Sequence, residues 1–189
     1  MSHTQLSSMT FNYHIRKADR DDVVYLPAIE RRAAQLFADR LDALGLTADG
    51  LNQVNSLEDL ARACQARMLW VAQDTAGERV GFALVLDFGD YAHLDELSVV
   101  PEHGQRGVGS ALLSQVCEWA TAAGYSAVTL RTFRHVPWNA PFYQRRGFCI
   151  IDSAKLTSRH IELEQAEQQQ GLCTDLRVAM IYSTIGDAP

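Results

Sequence analysis

The chain has 189 residues, 47% hydrophobic and 21% charged, which suits one domain with a single core. Its formal net charge of −6 argues against a sequence-independent nucleic-acid binder, which needs a basic stripe to displace counterions, and fits ordinary solubility or a cationic substrate. No apolar run reaches the length of a membrane span, and Met1 to Arg20 lacks the hydrophobic core of a signal peptide, so the sequence predicts a cytoplasmic protein with no membrane partner.

The chain is expected to be a single domain over residues 1–189, with residues 1–12 a flexible N-terminal segment. Tyr13 to Lys17 reads as a short strand, and the acidic residues of Ala18 to Asp22 suit a helix start. The helix that follows carries Val23, Leu26, Ile29, Ala33, Leu36 and Phe37 on one side, with Pro27 marking a later start or a kink. Gly45 to Asn55 is a polar link, and Ser56-Leu-Glu-Asp59 resembles a capping box opening a second helix through Met68. Leu69 to Ala72 and Val80 to Leu86 form a hairpin, and Ala92 to Val100 is the next strand. A glycine-rich turn leads into a helix with Val108, Leu112, Val116, Trp119, Ala120 and Ala123 at helical spacing, closed by Gly124. Ala127 to Phe133 is a β-branched strand, Trp138 to Arg146 a helix stopped by Gly147, and Phe148 to Ile151 another strand. Ser158 to Gln170 reads as an exposed polar helix, and Arg177 to Ser183 closes the sheet. Four cysteines, Cys64, Cys117, Cys149 and Cys173, form no Cys-x-x-Cys pair and read as buried thiols of a reducing compartment. The six histidines include no pair at metal-ligand spacing, so no metal is predicted.

Residues Val99 to Leu113 carry the strongest functional signal, an apolar strand end, a glycine-rich turn and an amphipathic helix. The first turn of a helix leaves N–H groups unpaired and carries about half a positive charge, and glycines let a pyrophosphate approach. Gly104 and Gly109 have the glycine spacing of a nucleotide-binding P-loop, but Ser110 follows directly where lysine is required. The only lysines are Lys17 and Lys155. A dinucleotide fingerprint fails because Leu112 stands at the third glycine position. A plain strand-to-helix turn without ligand remains the alternative to a phosphate site.

Gly107-Val108-Gly109 resembles the last half of the acyl-CoA turn of the GNAT N-acetyltransferase superfamily, Gln/Arg-x-x-Gly-x-Gly/Ala. Gly104 departs at the first position, with Gln105 and Arg106 one and two places later. Asn139-Ala-Pro-Phe-Tyr143-Gln-Arg-Arg-Gly147-Phe148 resembles that family's Asn…Phe-Tyr…Gly-Phe helix, although only three residues separate Asn139 from Tyr143. The element order β-α-α-β-β-β-α-β-α-β-α-β matches as well. The resemblance implies an α/β (α+β) fold with a mixed, mostly antiparallel sheet of six to seven strands and helices on both faces. It implies acetyl-CoA as cosubstrate, contacted by Leu97, Ser98 and Val99 at the strand end, by Gly104, Gln105, Arg106, Gly107, Val108, Gly109 and Ser110 in the turn, and by Asn139 and Phe142.

An alkyl amine has a pKa of about 10 and arrives protonated, so acetyl transfer needs a base, directly or through water. His93, Asp95 and Glu96 lie on the strand leading to the turn. Polyamine-type members carry two adjacent acidic residues there, corresponding to Asp95 and Glu96; Glu96 ranks first, Asp95 second and His93 third. Simple alternation puts His93 and Asp95 with Leu97 and Val99 and turns Glu96 away, but the family commonly has a bulge in this strand. The resemblance makes Tyr143 the donor to the departing sulfur and a strand N–H near Val99 the partner of the developing oxyanion. No cysteine has a setting that activates it, so direct transfer in a ternary complex is implied. Trp138 and Phe133 either line an amine pocket or pack in the core. The acceptor is a small-molecule or peptide amine of unidentified structure, and a homodimer through exposed sheet edges is compatible with the sequence. A non-catalytic acyl-CoA sensor on the same fold is the alternative function.

Overall fold

The structure is a computed structural model that describes residues 13–185. The flexible N-terminal segment expected over residues 1–12 lies outside the described residues. Seven strands form one mixed sheet: β1 (His14–Lys17), β2 (Leu69–Gln73), β3 (Arg79–Asp87), β4 (Tyr91–Val99), β5 (Ala127–Phe133), β6 (Cys149–Ile150) and β7 (Arg177–Ser183). Their spatial order is β1-β2-β3-β4-β5-β7-β6, and only β4 and β5 are parallel. This is the mostly antiparallel α/β sheet that the element order predicts.

The long first helix of the sequence reading is broken into pieces. Asp19 caps α1 (Arg20–Val23) in a reciprocal capping box with Asp22. The chain restarts at α2 (Leu26–Ala34) with Pro27 in its first turn, the position where a missing N–H costs nothing. A 3-10 segment (Gln35–Arg40) then leads to α3 (Leu41–Leu44), which Gly45 ends in a left-handed conformation. Ser56 caps α4 (Leu57–Gln65) by accepting the Asp59 N–H, but its hydroxyl bonds the Asp59 carboxylate, so the box is half formed. That helix ends before Met68.

α5 (Val108–Ala123) runs between two left-handed glycines, Gly107 and Gly124. It packs on one face of the sheet, where Trp119 meets Trp70 at 5.1 Å, and α6 (Ala140–Gln144) lies beside its N-terminus. The other face carries α2, α4 and α7 (Ser158–Gln169). α7 is not the free polar helix its composition suggests. It buries His160 and turns Glu164 and Glu167 inward onto Arg131 and Arg177. The thiols also differ from expectation: Cys64 is buried, Cys117 and Cys173 are half-buried, and Cys149 is exposed because it lies on the short edge strand β6. No helix among the described residues is long and apolar enough to cross a membrane.

Candidate active site

The site begins where two strands part. β4 and β5 pair only from Tyr91↔Ala127 to Leu94↔Leu130; beyond that β4 continues against β3 and β5 against β7. The split leaves the C-terminal half of β4 with one edge unpaired. Val100 donates its N–H to the Val80 carbonyl at 2.9 Å. Because extended backbone groups alternate sides, the N–H and C=O groups of Val99 and Leu97 point the opposite way, into the gap between β4 and β5.

The glycine turn closes one end of that gap. Gly104 is not its special residue: it has an ordinary extended conformation, φ −61° and ψ 154°, after a short 3-10 turn (Pro101–His103). The left-handed positions are Gln105 (φ 57°) and Gly107 (φ 87°). The first backbone bond of α5 runs from Ala111 N–H to the Gly107 carbonyl at 2.9 Å, which leaves the N–H groups of Val108, Gly109 and Ser110 without intrahelical acceptors. Gln105 and Arg106 are exposed. Arg146, which the sequence reading passed over, reaches this turn from the far side. Its Nε lies 3.1 Å from Ser110 Oγ, its Nη2 contacts the same oxygen, and its guanidinium stacks on Phe142 at 3.8 Å. It adds a cation to the positive end of α5.

A bulge fixes which face of the sheet Glu96 takes. Leu84 pairs with Glu96 while Val85 pairs with Leu94, so Asp95 is an inserted residue. The insertion restarts the alternation and places Glu96 on the face of His93, where simple parity would have turned it away. Glu96 accepts a 2.6 Å hydrogen bond from Ser98 Oγ. Burial raises its carboxyl to about 8, with Glu30 on α2 and Asp95 adding repulsion. Glu30 is itself raised by burial, although Asn55 donates to it through its backbone N–H at 3.0 Å and its side-chain amide at 3.1 Å. Asp95 opens into a groove of about 330 Å³ beside α4, shared with Asn55, Asp59 and Arg62. Surrounding protein, Glu167 and Asp59 push its carboxyl up to about 6, but the residue is exposed and water screens it.

His93 is taken out of this group. It is 3% exposed, its Nδ1 lies 2.9 Å from Thr129 Oγ1, and its ring stacks on Phe88 at 4.7 Å. Burial, with His160 and Arg131 nearby, lowers its pKa to about 3 and keeps it neutral. Phe133 packs with Leu44 and Val136 in a small second core, and Trp138, 37% exposed, stands at its rim against Phe37.

Tyr143 is buried, edge-on to Phe142 and Phe148, and its hydroxyl has no hydrogen-bond partner among the described residues. Burial and then the negative charge of Glu96 raise its pKa, so the phenol stays protonated. Asn139 precedes α6 and donates to Thr132 Oγ1 at 2.6 Å, while its Oδ1 is buried without a partner. The positive charge of Arg177, at the start of β7, acts against the rise in the pKa values of Tyr143, Glu96 and Asp95. Arg177 is a second residue that local spacing in the sequence does not reveal. Among the described residues no group of three or more His, Cys, Asp or Glu is arranged to hold a metal ion.

Residues 35–148 match the profile described as the Acetyltransferase (GNAT) family. Among solved structures, the chain is similar to PaiA N-acetyltransferase from Thermoplasma acidophilum in complex with coenzyme A, at 17% identity over 90% of this chain and 98% of that one, with a TM-score of 0.63. It is similar to N-acetylglutamate synthase from Neisseria gonorrhoeae complexed with coenzyme A and N-acetyl-glutamate, at 18% identity over 91% of this chain but 35% of that longer one, with a TM-score of 0.66. The ribosomal-protein-S18-alanine N-acetyltransferase from Escherichia coli aligns at 16% identity over 93% and 96%, with a TM-score of 0.62. These likenesses establish a common fold.

Proposed function

Because this chain belongs to the GNAT acetyltransferase family, we propose that it moves an acetyl group from acetyl-CoA to a primary amine, by direct attack in a ternary complex. The observation that carries this reading is that the β4 bulge and α6 bring the buried Tyr143 phenol within reach of the Glu96 charge, beside the parted strands. The residues present suit acetyl-CoA. The free N–H groups of Val108, Gly109 and Ser110, with Arg146, supply donors and positive charge for its pyrophosphate. The buried, unpartnered Oδ1 of Asn139 supplies an acceptor for an amide N–H beside the gap.

Acetyl-CoA contributes the activated acetyl group as a thioester; the protein handles protons and charge. Glu96, once ionised, takes a proton from the incoming ammonium, so that the amine lone pair is free to form the new N–C bond as the C–S bond breaks. Val99 N–H, fixed by the β3 pairing of its neighbour Val100, is aimed to donate to the carbonyl oxygen as negative charge gathers there. Tyr143 donates a hydrogen bond to the departing sulfur. Its raised pKa makes full proton transfer costly, and a thiol of pKa about 8.5 does not require it. The test is thiol release from acetyl-CoA with a panel of amines. Turnover with at least one amine and none with the matching alcohols is the expected result; tight acetyl-CoA binding with no thiol release would make the protein a sensor instead.

A further inference from the structure

We infer that Ser98 is a positioning residue for acetyl transfer: its hydroxyl anchors one oxygen of the Glu96 carboxylate and leaves the other to receive the proton of the incoming ammonium. This deepens the acetyltransferase reading and rests on it for Glu96 as the base. Glu96 pairs with Leu84 and Ser98 with Phe82, two steps apart on β4 and both beyond the bulge at Asp95, so their side chains share one face. The bulge turns the two residues together. Ser98 Oγ lies 2.6 Å from Glu96 Oε1.

The rest of Ser98 is committed elsewhere. The residue is 3% exposed, and its hydroxyl makes no other hydrogen bond among the described residues. Its backbone groups point with those of Val100 toward β3, away from the gap. On that side β3 comes so near that a Cβ at Gly81 would stand 2.7 Å from the Ser98 carbonyl oxygen, closer than a side chain tolerates. The hydroxyl is therefore the group through which Ser98 meets the site. A hydroxyl on an ionised carboxylate sits at about 2.5–2.7 Å, and such a bond holds the charged form against the burial and repulsion that favour the neutral one. The terminal torsion of a glutamate is broad, so an anchor on Oε1 decides where Oε2 points. Oε2 has no partner among the described residues, and Glu96 is only half-buried, which makes this the oxygen an ammonium can reach.

The test compares wild type with Ser98→Ala, which keeps the backbone pairing with Phe82, by two readouts. Carbon-13 NMR of protein labelled at the glutamate carboxyl carbon follows the titration of Glu96 directly, its signal assigned by its absence from Glu96→Gln. The pH dependence of kcat/KM, from thiol release with one acceptor, follows the base in action. Both midpoints are expected to move upward by about one pH unit in Ser98→Ala, which lowers kcat/KM about tenfold at pH 7 and leaves it near the wild-type value above about pH 10. An unmoved carbon-13 titration would overturn the inference. So would a kcat/KM profile lowered by one factor at every pH, the mark of a merely structural role. A carbon-13 titration that moves while the kinetic limb stays in place removes Glu96 as the base, and so overturns the reading on which the inference rests rather than the link between Ser98 and Glu96. Absence of turnover with every amine does the same.

Discussion

Replacing Glu30 by Gln tests the electrostatic account of Glu96. Glu30 is the largest charged contributor to the raised carboxyl of Glu96, second only to burial, which the substitution leaves in place. Gln at position 30 keeps an oxygen for the Asn55 N–H and removes the negative charge. With burial intact, the Glu96 pKa should fall by about one unit from about 8, equivalent to about 1.4 kcal/mol of relieved repulsion. The ionised fraction at pH 7 then rises from about one-tenth to about one-half, so kcat/KM at that pH should increase about fivefold and stay unchanged above about pH 9. Thiol release would be measured across this range for both proteins with one acceptor. The ratio of the two profiles cancels the acceptor's own ionisation. A flat ratio, or a limb displaced to higher pH, would refute the reasoning, and so would full activity in Glu96→Gln, for which a loss of about 10²–10⁴-fold is expected.

Tyr143→Phe should lower kcat with acetyl-CoA affinity nearly unchanged, since the hydroxyl makes no protein hydrogen bond among the described residues; parallel turnover assays and calorimetry separate the two effects. Gly109→Ala should fold normally, because a Cβ there meets Phe142 at 3.7 Å and Val99 at 3.8 Å, ordinary contact distances, yet weaken acetyl-CoA binding by crowding the approach to the free N–H groups. Undiminished affinity would remove the turn from the cosubstrate site. Asp22→Asn should cost about 3 kcal/mol in urea unfolding, because Asp22 is fully buried between Arg16 at 2.6 Å and Arg79 at 2.9 Å. Burial alone would raise the Asp22 pKa, but Arg16, the Asp19 N–H and Arg79 outweigh it and hold the carboxyl at about 2. The stability this ion pairing supplies is therefore present above the unfolded value of about 3.9 and fades as pH falls toward about 2, so wild type and Asp22→Asn should converge in acid.

The parts of this fold that were legible in the sequence are those decided within a few residues. Gly107 and Gly124 bracket α5 because both positions adopt left-handed backbone that side chains resist, and Pro27 opens α2 where its missing N–H is harmless. The same local reading overvalued Gly104. An unusual residue in a motif draws attention, but the conformational demand falls on Gln105 and Gly107, and the positive charge at the turn includes Arg146, supplied from beyond α6.

The electrostatics of the site belong to register and long-range packing, which local spacing does not encode. One inserted residue, Asp95, turns Glu96 to the face of His93 and reverses what alternation gives, because in a strand every shift by one exchanges the two faces. Whether β4 bulges depends on the Leu84–Val85 pairing across the hairpin. The pKa of Glu96 then depends on Glu30 from α2 and Arg177 from β7, which come together only when both flanks of the sheet have folded. The polar composition of α7 conceals the same kind of contact: Glu167, an unremarkable residue in a glutamine-rich stretch, is where Arg131 and Arg177 are tied together. A local pattern can locate a carboxylate on the right strand. Its basicity, and so its fitness to deprotonate an amine, is set by residues that the chain folds back to meet.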